Sequence, residues 1–239
     1  MKNKVAVILA PVMPVWDNGD FCKDLKTILL DLNYEVHIID TVNEITSCAP
    51  KVIIDSLKNK LNEEIKSPFI LIGFAMGGAL VQVISTQIDN VIGAISINGP
   101  GFADEDLKLK LSNLVNLLNQ RELTLAMDEL HKLVLPKNIL YHIPPMHIDK
   151  ELQENAISRM KLGFKLLLNL DARNIIPNFK HNFLSVVGEL SQLASINNQV
   201  IVHSPHFQYR LVNKAGMRPW NDNPMDCNKI LKEWLSTYE

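Results

Sequence analysis

The sequence predicts an α/β fold with a mostly parallel sheet, helices on both faces of the sheet, and a helical cap inserted after the fourth strand. Along residues 1–101, short continuous apolar runs, typical of strands covered on both faces, alternate with stretches in which apolar residues recur at helical spacing. The alternation then stops, and a long stretch of helical pattern precedes the next apolar run. With 239 residues, of which 47% are hydrophobic, the chain is long enough for one domain with a large core.

The apolar runs and the helical stretches give the order of the elements. Strands are predicted at residues 4–9, 34–39, 69–74, 91–97, 183–187 and 209–212. Helices are predicted at residues 20–32, 51–65, 76–88, 191–202 and 224–235, with a loop at residues 214–223. Further apolar stripes within residues 104–171 predict the helices of the cap. We therefore expect residues 1–101 and 172–239 to form the core and residues 102–171 to form the cap.

Composition and charge narrow the class of protein. A net charge of −2 without blocks of like charge gives no reason to expect nucleic acid or an anionic membrane surface as a partner. No stretch approaches the ~18 consecutive apolar residues of a membrane-spanning helix. The first apolar run is too short for a signal peptide and the three cysteines are scattered, so we expect a cytoplasmic protein with no metal and no cofactor. The expected partner is an apolar small molecule, and a homodimer is a candidate assembly.

The stretch from Phe69 to Gly78 is expected to organise the site. An apolar run is followed by the small-residue corner Gly73-Phe74-Ala75-Met76-Gly77-Gly78 and then by a helix. This layout is that of the nucleophile elbow G-x-S-x-G, a sharp turn between a strand and a helix. Ala75 stands at the central position, where it offers no oxygen for nucleophilic attack.

The sequence resembles the α/β-hydrolase superfamily in its short, capped, esterase-like form, and the resemblance covers nearly the whole chain. The corner Gly73 to Gly78 is similar to the family's G-[FH]-S-M-G-G. Lys214 to Trp220, followed by Asn223-Pro224, is similar to G-A-G-H-x-P-W…P, where the family has its catalytic histidine. Phe183 to Ser191 is similar to the strand and the G-E-x-D turn that carry the catalytic acid.

The resemblance implies that the catalytic nucleophile, acid and histidine would stand at Ala75, Ser191 and Met217, and none of these is the family's residue. Ala10-Pro11 replaces the His-Gly pair that shapes the oxyanion loop. Proline has no N–H to donate, although Val12 or Met13 could supply one. The chain therefore resembles a pseudo-hydrolase with a degenerate catalytic triad.

An apolar chamber is expected in place of the triad. Two residues are candidates for an acid or a base inside it. His147 lies in a proline-rich loop of the cap and is otherwise a solvent-exposed histidine, and Asp17 is otherwise the cap of a helix N-terminus. The residues expected to line the chamber are Val12, Met13, Trp16, Ala75, Met76, Met146, Met217 and Trp220.

Several functions remain open at this stage. The leading hypothesis is a non-hydrolytic enzyme that cyclises, eliminates or isomerises an apolar small molecule, for example in specialised-metabolite biosynthesis. One alternative is a non-catalytic protein that binds a small molecule or serves as a scaffold. Another is a serine hydrolase whose nucleophile has been changed from serine to alanine, although the simultaneous loss of the acid and the histidine argues against it. An open chamber would favour a small-molecule function, and a chamber filled by methionine side chains would favour a scaffold.

Overall fold

The computed structural model describes residues 4–138 and 148–238. The strands form one sheet in the order β2-β1-β3-β4-β5-β6, and all neighbours run parallel. The α/β fold and the parallel sheet predicted from the sequence are confirmed. The strands are β1 (Lys4–Leu9), β2 (Tyr34–Ile39), β3 (Phe69–Phe74), β4 (Val91–Ile97), β5 (Asn182–Gly188) and β6 (Phe207–Val212).

Helices follow most of the strands, and three of them separate β4 from β5. These three, α4 to α6, form the helical insertion that the sequence predicts at this point. No helix in the described part of the chain is both long and apolar enough to cross a membrane. The helices are α1 (Lys23–Asp31), α2 (Pro50–Glu64), α3 (Met76–Ile84), α4 (Glu105–Asn119), α5 (Leu123–Val134), α6 (Gln153–Asn169), α7 (Pro219–Asp222) and α8 (Pro224–Leu235).

The sheet is buried on both faces by two separate hydrophobic clusters. Along β1, Val5 and Val7 belong to the cluster that contains α2, α3 and the helices of the insertion. Ala6 and Ile8 belong to the opposite cluster, which contains α1 and α8. Because successive side chains of a strand point to opposite faces, burial on both sides requires the continuous apolar runs seen in the sequence.

The insertion leaves the core and returns to it at one place. The Ala172 amide donates a hydrogen bond of 2.7 Å to the Gly101 carbonyl. Next to this bond, Phe102 and Asp171 form an isolated antiparallel bridge. The division of the chain into a core and a cap at these residues stays a prediction.

An ion pair fixes the insertion over the carboxyl ends of the strands. Arg159 of α6 donates two hydrogen bonds, of 2.9 and 2.7 Å, to the Asp40 carboxylate just after β2. Its Nε also donates to the Met13 carbonyl at 3.1 Å, in the loop after β1. Both side chains are largely buried, with 12% and 17% of their surface exposed. A bidentate, charge-assisted contact of this kind holds α6, the end of β2 and the loop after β1 in a fixed relation.

Two segments differ from the sequence prediction. The helix predicted at residues 191–202 is wrong: the structure has a single 3₁₀ turn, Ile196–Asn198, within an irregular segment. Ser195 accepts a hydrogen bond from the Asn197 amide, and Asn198 accepts one from the Ser195 amide. Such short polar side chains satisfy nearby backbone groups and compete with a continuing helix. The predicted loop at 214–223 contains the short helix α7, which begins at Pro219, where proline's fixed φ is compatible with a first helical residue.

Candidate functional site

The strand-to-helix corner keeps the backbone of a nucleophile elbow. Ala75 lies between β3 and α3 with φ 48° and ψ −110°, a conformation that residues with a Cβ rarely adopt. Its amide donates to the Ile97 carbonyl at 2.8 Å, and its carbonyl accepts from the Ala79 amide at 2.9 Å. The sharp turn is thus held from both sides, and it presents a methyl group where the elbow of a hydrolase presents a hydroxyl.

The glycines of the corner allow three backbone segments to approach one another. A Cβ on Gly77 would lie 2.3 Å from the Leu9 carbonyl oxygen, in β1. A Cβ on Gly73 would lie 2.2 Å from the Gly77 carbonyl oxygen. Both obstacles are backbone atoms, so a side chain at either position has no room.

Ala75→Gly is expected to stabilise the protein by about 1 kcal/mol, because glycine relieves the strain of the positive φ at the elbow. The free energy of unfolding by urea measures the effect. The matched variant Ala79→Gly lies one turn further, at a buried position inside α3, and should instead lose about 1 kcal/mol or more. Destabilisation by both substitutions would show that Ala75 is not strained.

Ser191 and Met217, where the resemblance in sequence implies an acid and a histidine, are in contact after the ends of β5 and β6. The Ser191 hydroxyl donates to the Met217 sulfur at an Oγ–Sδ distance of 3.0 Å. A thioether is a weak acceptor and binds no proton near neutral pH, and an aliphatic hydroxyl gives up none. The two side chains are therefore adjacent but cannot exchange a proton as an acid–base pair does.

A cavity of about 500 Å³ lies above the elbow. Ala75 and Met76 lie at its base, and the loop after β1, the helices of the insertion and the loop after β6 form its walls. Its volume is in the range of small-molecule sites. The apolar lining residues include Val12, Met13, Phe21, Phe74, Leu107, Leu111, Met127, Leu130, Val134, Phe164, Leu167, Leu193, Met217 and Trp220.

Most of the residues expected to line the chamber border this cavity. Val12, Met13, Ala75, Met76, Met217 and Trp220 do so, as does Asp17. Trp16 is not among the residues that line the cavity, so this expectation is wrong; its ring lies beside that of Phe21, with 6.2 Å between the centroids, and Phe21 borders the cavity. Met146 and His147 lie outside the described residues.

Asp17 is engaged in local backbone contacts. Its carboxylate accepts hydrogen bonds from the amides of Gly19, at 2.9 Å, and Phe21, at 2.8 Å, just before α1. These contacts occupy both carboxylate oxygens in a local turn, whereas the residues that cap the 3₁₀ turn Asp20–Cys22 and α1 are Gly19 and Cys22, so the capping role expected for Asp17 is wrong. Within residues 4–138 and 148–238, no group of three or more His, Cys, Asp or Glu side chains is placed to hold a metal ion.

Asn98 joins the loops that carry the acid and histidine positions. Its side chain is buried, and its Oδ1 accepts a hydrogen bond of 2.8 Å from the Gly188 amide. It also donates to the Gly216 carbonyl at 3.1 Å. One side chain after β4 thereby links the end of β5 to the loop after β6, close to Ser191 and Met217.

His131 of α5 is a cavity residue that the sequence analysis missed. It is half-buried in the wall, and burial lowers the pKa of its imidazole below the ordinary value of 6.5. Arg218 lowers this pKa further, and Asp128 partly opposes the shift. The sequence held a signal for it: Met127, His131 and Val134 recur at spacings of four and three, so His131 continues the apolar stripe that faces the cavity.

Comparison with solved structures identifies the fold. A bromoperoxidase from Bacillus anthracis superposes with a TM-score of 0.76 at 14% identity, over 98% of this chain and 92% of that one. An esterase from Thermogutta terrifontis gives a TM-score of 0.71 at 14% identity, over 98% and 90% of the two chains. An α/β-hydrolase enzyme from a Medee basin deep-sea metagenome library gives 0.73 at 14%, over 99% and 90%.

No protein-family model and no curated protein sequence matches this chain. The structural likenesses show that the chain has the α/β-hydrolase fold, as the resemblance in sequence implies. At 14% identity they show the fold alone, and one fold of this kind serves many reactions. The residues of the cavity determine which reactions the protein can support.

Proposed function

We propose that the protein encloses an apolar small molecule in the cavity above Ala75 and promotes a non-hydrolytic reaction of it, such as an elimination, an isomerisation or a cyclisation. The observation that carries the proposal is an open cavity of about 500 Å³ over an intact elbow whose nucleophile position is Ala75. Acyl-enzyme chemistry needs a nucleophile at that position, and alanine supplies none.

The state of the cavity supports a small-molecule function over a scaffold function. Met13, Met76 and Met217 border the space without closing it. Met76 is fully buried beneath it, whereas Met13 and Met217 are only partly buried. Since methionine readily fills irregular gaps, an open volume surrounded by three of them favours a site that receives a ligand.

The walls support an apolar molecule with one polar or acidic end. Most lining side chains are aliphatic or aromatic, and the lining also holds the charged or basic side chains of His131 and Arg218, together with Asp17, Asp20, Lys23 and Asp24 near the start of α1. An apolar body would contact the aliphatic wall, and a carbonyl or a developing negative charge would lie beside His131 and Arg218. Reactions that proceed by orientation, exclusion of water and a proton transfer require no more than this.

Met217→Trp is expected to weaken binding of the neutral apolar dye N-phenyl-1-naphthylamine by about tenfold or more, because the indole fills part of the cavity. Dye fluorescence during titration of the wild-type and variant proteins measures the dissociation constant. The matched variant Met225→Trp, at a position with 83% exposure in α8, should bind as the wild type does. Absence of dye binding to the wild type, or equal binding by both variants, would remove the support for a ligand cavity.

A further inference from the structure

We propose that His131 is the general base of this cavity, that it removes a proton from a carbon atom of the bound molecule, and that Arg218 stabilises the negative charge that develops. The inference rests on the proposed function, since it assigns a residue and a substrate class to the same cavity. The substrate class is an apolar molecule with a weakly acidic C–H group next to an electron-withdrawing group.

Backbone contacts hold the C-terminal end of α5 against the loops at the ends of β5 and β6. The Val134 carbonyl, one turn after His131, accepts the Met217 amide at 3.0 Å. The Lys137 amide donates to the Leu190 carbonyl at 2.9 Å. The insertion therefore places His131 one helical turn before the residue that contacts Met217. Position 217 is where the resemblance to the family implies a histidine.

Side-chain and steric contacts tighten the same junction. The Gln192 amide group donates to the carbonyls of Lys132, at 2.7 Å, and Leu135, at 3.0 Å, at the end of α5. A Cβ on Gly216 would lie 2.5 Å from the Pro136 nitrogen, so the two segments are in close backbone contact. These contacts hold the helical turn that carries His131 against the loops beside the cavity.

The surroundings of His131 favour a neutral imidazole. Burial and the Arg218 guanidinium both oppose its protonation, and Asp128 favours it. Arg218 is an exposed residue that borders the cavity; its charge also acts on the Asp222 carboxylate, but no carboxylate in the described part of the chain lies within salt-bridge distance of it. The charged residues on the neighbouring turns, on the loop after β6 and across the cavity are Asp128, Glu129, Lys132, Arg218, Asp222, Asp17, Asp20, Lys23 and Asp24.

The proton transfer balances without an oxidant, a reductant or a second substrate. The imidazole nitrogen takes the proton, and the electron pair of the C–H bond forms a new π bond. In an elimination, the bond to the leaving group breaks and the leaving group departs with its electron pair. In an isomerisation, the imidazolium returns the proton to another atom of the same molecule.

Elimination of 5-nitrobenzisoxazole tests the base directly, because this flat and neutral probe reacts by loss of one carbon-bound proton. The C–H electron pair forms a nitrile, the N–O bond breaks, and a coloured nitrophenolate results. We expect the wild-type protein to catalyse this reaction, with kcat/KM rising as pH increases through a midpoint below 6.5, since only the neutral imidazole is active. His131→Ala and His131→Gln should each lower kcat/KM by about 100-fold.

The pH at the midpoint of the kcat/KM profile distinguishes a catalytic role of His131 from a structural one. Arg218→Ala should move it upward and reduce kcat, because it removes a charge that opposes protonation and stabilises the product anion. Asp128→Asn should move it downward, since Asp128 acts in the opposite direction. His203→Ala, at an exposed position before β6, is the matched control and should leave rate and profile unchanged.

Three outcomes would overturn the assignment to His131: no catalysis by the wild type, an unchanged rate in His131→Ala, or a midpoint that does not respond to Arg218→Ala. Binding of N-phenyl-1-naphthylamine distinguishes the two proposals. If the dye binds the wild type and His131→Ala equally while the elimination does not depend on His131, the cavity proposal survives and the base assignment fails. If the wild type binds no dye, the proposed function fails as well.

Discussion

The triple variant Ala75→Ser/Ser191→Asp/Met217→His is expected to hydrolyse 4-nitrophenyl esters about 100-fold faster than the single variant Ala75→Ser. The elbow already has the turn that exposes its central side chain, with φ 48° at Ala75. The other two positions are already adjacent, with 3.0 Å between their side-chain atoms. Release of nitrophenol under steady-state conditions provides kcat/KM for each variant.

Ala75→Ser alone should remain at the background rate, because neither Met217 nor Ser191 can act as a base toward the new hydroxyl. Substantial hydrolysis that persists in Ala75→Ser/His131→Ala would identify the chain as a serine hydrolase with a changed nucleophile, whereas hydrolysis that is lost together with His131 would come from the base proposed for the cavity. A folded but inactive triple variant would instead show that the three positions no longer meet in the geometry of a triad. Far-UV circular dichroism and the urea midpoint establish that each variant is folded.

Gly77→Ala is expected to lower the free energy of unfolding by about 3 kcal/mol or more, and the melting temperature by about 6–12 °C. The added methyl group would lie 2.3 Å from the Leu9 carbonyl oxygen and 2.9 Å from that of Ala10. Both atoms belong to the backbone at the end of β1, in the buried centre of the sheet, and cannot turn away as a side chain can. Unfolding in urea, with the denaturant slope compared between variants, measures the loss.

Gly163→Ala is the matched control within α6. Its added methyl group would meet the Val12 side chain, at 2.5 and 3.0 Å from the two Cγ atoms. Val12 is only partly buried and can rotate, and alanine favours a helix over glycine by about 1 kcal/mol, so the net change should be small. Equal losses in the two variants would contradict the view that β1 and the elbow are in rigid backbone contact.

The sequence predicts the central strands well because they are buried on both faces, whereas the edge strands β2 and β6 are partly exposed, and β6 begins at Phe207 rather than at the predicted Tyr209. The run at residues 69–74 contains no polar residue, so its ends are clear in the sequence, and β3 begins and ends at these residues. The corner from Gly73 to Gly78 is equally readable, since its spacing requires small residues. Residues 191–202 were predicted wrongly because their apolar positions fit a helix while Ser195 and Asn198 satisfy the backbone locally.

The site is less readable than the fold because its members come from distant parts of the chain. The resemblance in sequence points to Met217 and Ser191, but the 3.0 Å distance between the Ser191 hydroxyl and the Met217 sulfur depends on the conformations of two loops. His131 lies in a helix whose apolar stripe resembles that of any packed helix. The contact between Val134 and Met217 in the folded chain brings this stripe to the cavity, and a sequence does not reveal that contact.

The hydrogen bond between Ala172 and Gly101 brings together the two ends of the predicted cap, and we therefore expect this segment to be exchangeable. A segment that departs and returns at one hydrogen-bonded point can change in length or composition at little entropic cost to the remainder of the chain. Exchange of that single contiguous segment would replace His131 and much of the cavity wall, while the strands beneath Ala75 keep their order. We therefore expect exchange of this segment to change the ligand preference of the proposed cavity while the order of the strands is kept.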